Sequence, residues 1–82
     1  MNPPIPSTVR MRRASHLPCG ARGLVAAVEG SEEIVARLAS VGIVPGTTLR
    51  ILRQGSPMAV AVGDARLGLG RAWGDALHIV DL

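Results

Sequence analysis

The apolar positions of this chain form one helical run and several alternating ones. Between Ser31 and Thr47, Ile34, Leu38 and Val41 recur at i, i+4 and i+7, which stacks them on one face of a helix. Ser31 offers an N-cap hydroxyl, and Glu32 and Glu33 put negative charge in the first turn, where the helix dipole favours it. Glu33 and Arg37 stand four apart in the favourable order, a surface pair worth about 0.3 kcal/mol. Gly42 follows where a left-handed residue ends a helix, and with Gly42 at C′ the apolar pair of a Schellman stop is Leu38 and Ile43. Val44, preceding Pro45, is pushed toward extended backbone, and Pro45-Gly46 suits the centre of a type II turn. The spacing predicts a helix ending at Ser40 or Val41, then a turn, then a strand.

Elsewhere the period is two. From Arg22 to Glu29, Leu24, Ala26 and Val28 read as the inner face, with Val25 outward. Thr48 to Arg53 follows, Leu49 and Ile51 inward and Arg50 outward, before Gln54-Gly55-Ser56-Pro57 breaks the run. Met58, Val60 and Val62 pass through the hairpin signal Gly63-Asp64 to Ala65, Leu67 and Leu69. Gly70 to Ala76 is rich in glycine and predicts a 3₁₀-like turn carrying Trp73. Leu77 and Ile79 face inward in a closing strand. Five short strands with one helix after the first predict a mainly β fold, a small antiparallel barrel with the helix plugging one side.

Composition narrows the chemistry. A chain of 82 residues is one domain with a small core, burying roughly 60% of its unfolded surface, and a deep catalytic cleft is not expected. With no Phe, no Tyr and one Trp, aromatic cages and base stacking are disfavoured. No Ser-His-Asp set, no carboxylate pair at catalytic spacing and no phosphate loop is visible, which argues against an enzyme.

Residues 1–16 hold Pro3, Pro4, Pro6 and then Arg10, Arg12 and Arg13 without an acid, and read as a flexible N-terminal arm. In residues 17–82, Arg22, Arg37, Arg50, Arg53, Arg66 and Arg71 are matched by Glu29, Glu32, Glu33, Asp64, Asp75 and Asp81. The excess positive charge is therefore assigned to the arm, and no nucleic-acid partner is expected. A single Cys19 excludes an intramolecular disulfide and suits a reducing compartment. No run approaches the ~20 apolar residues of a membrane span, and no secretory h-region is present, so a cytoplasmic location is expected.

The block R-L-A-S-V-G-I-V-P-G-T from Arg37 to Thr47 carries a family resemblance. With C-G-A-R-G-L-V from Cys19 to Val25, L-G-L-G-R from Leu67 to Arg71 and the closing L-H-I-V, residues 17–82 resemble the FeoA family, ferrous iron transport protein A. The resemblance implies an SH3-like barrel and a non-enzymatic cytoplasmic accessory protein that acts on FeoB, the membrane ferrous iron permease with a cytoplasmic G-protein domain. It also implies likeness to the C-terminal domain of DtxR-type repressors, and so, as the alternative, a metal-binding or metal-responsive module. The chain departs from the family's habit at the short Gln54 to Pro57 link and at Gly70-Arg71, where paired basic residues are common.

Candidate sites follow from both readings. Leu38, Gly42, Pro45 and Gly46 are structural, set by helix stop and turn. Arg37, Val44, Pro45 and Trp73 are the candidate partner-binding residues, with Trp73 alternatively capping the barrel. Val25, Leu52 and Val80 could form an outward apolar patch. His16, Cys19 and His78 are the only ligand-type residues besides carboxylates. They make no convincing four-ligand set, so no cofactor is required, and any iron or zinc is expected to bind weakly or to bridge two chains, for instance in a homodimer. Eukaryotic SH3 domains grip proline-rich peptides with aromatic grooves, a mode this chain lacks the residues for.

Overall fold

A computed structural model describes residues 11–82. In chain order the elements are β1 (Met11–Arg13), a 3₁₀ turn (Ala14–His16), β2 (Arg22–Val28), α1 (Glu32–Ser40), β3 (Thr48–Arg53), β4 (Met58–Val62), β5 (Ala65–Leu69), α2 (Arg71–Ala76) and β6 (Leu77–Asp81). The six strands form one antiparallel sheet in the order β1-β6-β2-β3-β4-β5. The sheet curls around a core of Ala14, Leu17, Val25, Leu38, Ile43, Leu49, Ile51, Met58, Val60, Leu69, Leu77 and Ile79. β1 and β5 are the two edges, and α2 bridges them, touching β5 on one side and β1, the 3₁₀ turn and β6 on the other. The expected mainly β barrel is present, with six strands where five were expected.

The extra strand comes from the stretch read as a flexible arm. Met11, Arg12 and Arg13 pair with Val80, Ile79 and His78, and Ala14 and Leu17 behind them are fully buried. Arg12 also holds Asp81 at 2.5 Å. The open edge of β6 supplies ladder partners for a segment whose own composition could not order it, so the ordered domain begins before residue 17. The part of the expected arm in residues 1–10 lies outside the described residues.

Up to Ala26, strand β2 has the opposite phase from its apolar pattern, whereas Val28 packs against the core as expected. Gly23 and Val25 are buried, while Leu24 is half-buried on the outer face and Ala26 is exposed. Two causes combine. A side chain at position 23 would place its Cβ 2.1 Å from Ile79 Cγ2, so an inward position is held by a residue that carries no apolar signal. A bulge between Val25 and Ala27 then shifts the register against β6 and breaks the alternation. With Val25 buried, the outward patch of Val25, Leu52 and Val80 does not form; Leu52 and Val80 are half-buried.

The expected 3₁₀-like turn at Gly70 to Ala76 is a six-residue α-helix, with the Gly74 N–H donating to the Gly70 carbonyl at 3.0 Å. Gly74 is there for proximity: an added Cβ would lie 2.8 Å from Met58 Sδ and 3.4 Å from Ser15 Cβ. The remaining strands keep their expected faces, with Leu49, Ile51, Met58, Val60, Leu69, Leu77 and Ile79 all buried.

Candidate functional site

Helix α1 and the loop after it present the segment that carried the resemblance. The Ser31 hydroxyl accepts from the Ile34 N–H at 3.2 Å, the N-cap bond that Ser31 was expected to make. At the other end the Gly42 N–H donates to the Ala39 carbonyl at 3.0 Å and the Ile43 N–H to the Leu38 carbonyl at 2.9 Å. Those are the two bonds of a Schellman stop, and Gly42 has φ +89°. Leu38 and Ile43, the apolar pair of the motif, are both buried.

The turn after it is equally determined. The Thr47 N–H donates to the Val44 carbonyl at 3.0 Å around Pro45 and Gly46, and Gly46 has φ +97°, as the third residue of a type II turn requires. Thr47, which the sequence reading did not single out, ties the loop together. Its hydroxyl accepts from the Val44 N–H at 3.3 Å and donates to the Gly42 carbonyl at 3.0 Å. The loop is bolted to β2 as well, through Gly46 N–H to Val25 carbonyl at 2.8 Å and Val25 N–H to Thr47 carbonyl at 2.7 Å.

This loop holds two apolar side chains out of the core. Val44 is 42% exposed and Val41, expected on the inner face of the helix, is 40% exposed. Only Leu38 of α1 is fully buried, with Ile34 packed partly against the core, so the helix is a side brace and not a plug. The Schellman stop accounts for this: it makes Ile43 the next inward residue after Leu38, and Val41 is left at the margin. Arg37 reaches Glu33 at 3.3 Å with both side chains largely in water, a pair of little energetic weight. Arg37, Val41, Val44 and Pro45 thus stand exposed on one helix and its stop, on a backbone pinned by eight hydrogen bonds through residues 38–47.

Trp73 is not part of that surface. It lies on α2, half-buried against the core, which is the capping position. Nor are His16, Cys19 and His78 gathered. Cys19 Sγ donates to the Leu52 carbonyl at 3.0 Å, and His78 Nε2 lies 3.5 Å from Glu29. His16 lines a cleft of about 300 Å³ with Ser15, Gln54, Ser56, Met58 and Arg71. Among the described residues no group of three or more His, Cys, Asp or Glu side chains could hold a metal ion.

Ser15, one of the residues lining that cleft, donates its hydroxyl to the Asp75 carboxylate. That bond holds the Asp75 carboxyl below its ordinary range against a smaller opposing effect of desolvation, with Arg71, Arg13 and His16 adding in the same direction. The interaction joins the 3₁₀ turn to α2, and so one edge of the barrel to the element that closes it.

A six-stranded curled antiparallel sheet with one bracing helix and a tightly ordered helix stop defines a small SH3-like barrel. The FeoA domain matches residues 12–80, and the chain belongs to the FeoA family. An iron uptake regulatory protein, FeoA, is 25% identical with a TM-score of 0.83, covering 89% of this chain and 99% of that one. FeoA from Chlorobium tepidum is 27% identical with a TM-score of 0.80, over 87% of this chain and 70% of that one. A manganese-dependent transcriptional repressor is 26% identical with a TM-score of 0.84, over 96% of this chain but 44% of that one. The comparison with curated proteins gave no match. No helix among the described residues is long and apolar enough to cross a membrane.

Proposed function

We propose that this chain is a non-enzymatic, cytoplasmic accessory protein of ferrous iron uptake that docks on the cytoplasmic G-protein domain of a FeoB-type permease and regulates transport. The observation that carries the proposal is the rigid stop and turn after α1, which holds Val44 and Pro45 out of the core beside Arg37 in a chain of the FeoA family. Because the backbone there is already fixed by hydrogen bonds, docking costs little ordering entropy. Val41 extends the same surface.

The test is a pulldown with the permease's soluble domain, together with ferrous iron uptake in a strain carrying Arg37→Ala or Val44→Ala. Loss of a contact residue of ordinary hot-spot weight, above about 1 kcal/mol, weakens capture at least about fivefold. Unaltered capture with normal uptake in both variants sinks the reading.

The likeness to a manganese-dependent repressor favours a second reading, a metal-responsive module. Since His16, Cys19 and His78 are not gathered within one chain, this reading places any iron or zinc at a contact between two chains, with the shell completed by water or anions. Calorimetry with ferrous ion and zinc decides it, and no binding below millimolar concentration removes it.

A further inference from the structure

Four arginines far apart in sequence are brought onto one face of the sheet. Arg22 of β2 stands opposite Arg50 of β3, Arg50 opposite Ala61 of β4, and Ala61 opposite Arg66 of β5. One row across four strands therefore reads Arg, Arg, Ala, Arg. A neighbouring row on the same side reads Arg53, Ala59, Gly68, the bulge after Ile51 having returned Arg53 to the outer face. Leu49, Ile51, Val60 and Leu69, which alternate with these positions, are buried, and all four arginines are exposed. With strands about 4.8 Å apart, one row covers roughly 15 Å measured along the curled sheet. Between the long side chains, Ala59, Ala61 and Gly68 leave two shallow grooves, one lined by Arg22 and Arg50 and the other by Arg53 and Arg66.

None of the four makes an ion pair among the described residues, where the pairs are Arg12–Asp81, Arg37–Glu33 and His78–Glu29. Residues 1–10 contain no acid that could supply one. The formal neutrality of residues 17–82 is thus an average over charges that the fold separates. Beside the arginines the same outer face turns apolar: Met11, Val80 and Leu24 lie in one row across β1, β6 and β2. Met11 is 61% exposed, and Leu82, whose N–H donates to the Arg22 carbonyl, is 72% exposed.

We propose that this face is a docking surface for an anionic lipid bilayer. Guanidinium groups bind phosphate oxygens through paired N–H donors, and a row of them without a shaped pocket suits a surface that offers many phosphates at once. The apolar margin of Met11, Leu24, Val80 and Leu82 supplies what the boundary between headgroups and acyl chains takes up. A single nucleic-acid strand would need stacking platforms, and this face has no aromatic residue. An acidic protein would need a large apolar anchor at the centre of the contact, where the fold places alanine and glycine. The inference does not depend on the permease reading, and the assay that tests it contains no permease, so either can fail alone.

The experiment is co-sedimentation of the full chain with vesicles of phosphatidylcholine containing about one-third phosphatidylglycerol, against vesicles of phosphatidylcholine alone, at low and high salt. Binding is expected to the anionic vesicles only and to fall as salt is raised. Each arginine contributes about fivefold, so R50Q/R66Q lowers the partition constant about 25-fold and R22Q/R50Q/R53Q/R66Q several hundredfold. Circular dichroism melting checks that each variant is folded, and the double variant carries the test if the fourfold one is not. The variant R10Q/R12Q/R13Q separates the effect of the N-terminal arginines. Equal binding to both vesicle types overturns the proposal. So does wild-type binding by a folded R50Q/R66Q, or loss confined to R10Q/R12Q/R13Q. Tighter binding to duplex DNA than to anionic vesicles assigns the face to a nucleic acid and overturns it too.

Discussion

Replacing Gly42 isolates the energetic weight of the helix stop. Its φ of +89° lies where a side chain is strained, yet an added Cβ would meet no atom within 4 Å. Steric crowding therefore drops out, and the backbone alone sets the penalty. A non-glycine residue in the left-handed region costs about 1–2 kcal/mol. Restricting the unfolded chain returns about 0.4–1 kcal/mol of that to an alanine. Gly42→Ala should thus lose about 1 kcal/mol, which for a domain of this size lowers Tm by about 4–8 °C. Gly42→Asn should lose less, because asparagine tolerates the left-handed region, and Gly42→Val should lose most, because of branching at Cβ. Urea and thermal unfolding of the three variants give the order directly. An alanine variant as stable as the parent, or an asparagine variant less stable than the alanine one, would refute a conformational origin.

Two further outcomes can be measured. Gly23→Ala is destabilising by overpacking and not by dihedral strain, since its Cβ would sit 2.1 Å from Ile79 Cγ2 and 3.0 Å from the Val80 carbonyl; a loss of about 1–3 kcal/mol is expected, and Ile79→Ala in the same chain should cost less than it does in the parent, as a double-mutant cycle in urea would show. Asp75 has a folded-state pKa below its unfolded value of 3.8, so the stability it lends is complete above that value and is lost as pH falls through the folded-state pKa. Ser15→Ala removes the main cause of the shift and should flatten the acid limb of the urea midpoint below pH about 4, and an unchanged limb would count against the Ser15–Asp75 contact.

The helix and its stop could be read from the sequence because every determinant is local. Ser31, Leu38, Gly42, Ile43, Pro45 and Gly46 act within a few residues of one another, and each occupies the role its type suggests. The hairpin at Gly63-Asp64 is legible for the same reason, with Val62 and Ala65 paired across it. What could not be read depends on distant partners. The phase of β2 is decided by Ile79, which occupies the space above Gly23, and by a bulge that no composition announces. The ordering of Met11–Arg13 is decided by the free edge of β6, sixty-odd positions further along. The arginine face exists only once four strands are set in register, and a tally of charges along the chain averages it away. Of the candidate docking residues, Arg37, Val44 and Pro45 are exposed on α1 and its stop while Trp73 is half-buried against the core, since solvent exposure of a lone aromatic is a property of packing and not of sequence.

The pairing of β1 with β6 makes the described chain nearly circular: its first and last strands are neighbours, with Met11 facing Val80. A few residues spliced from Leu82 back to Met11, with the backbone opened instead at Gly63-Asp64, would leave each stave beside the companions it has now. The linear order of the gene is thus one of several routes around the same wall, and what a permuted chain would have to preserve is the set of lateral contacts.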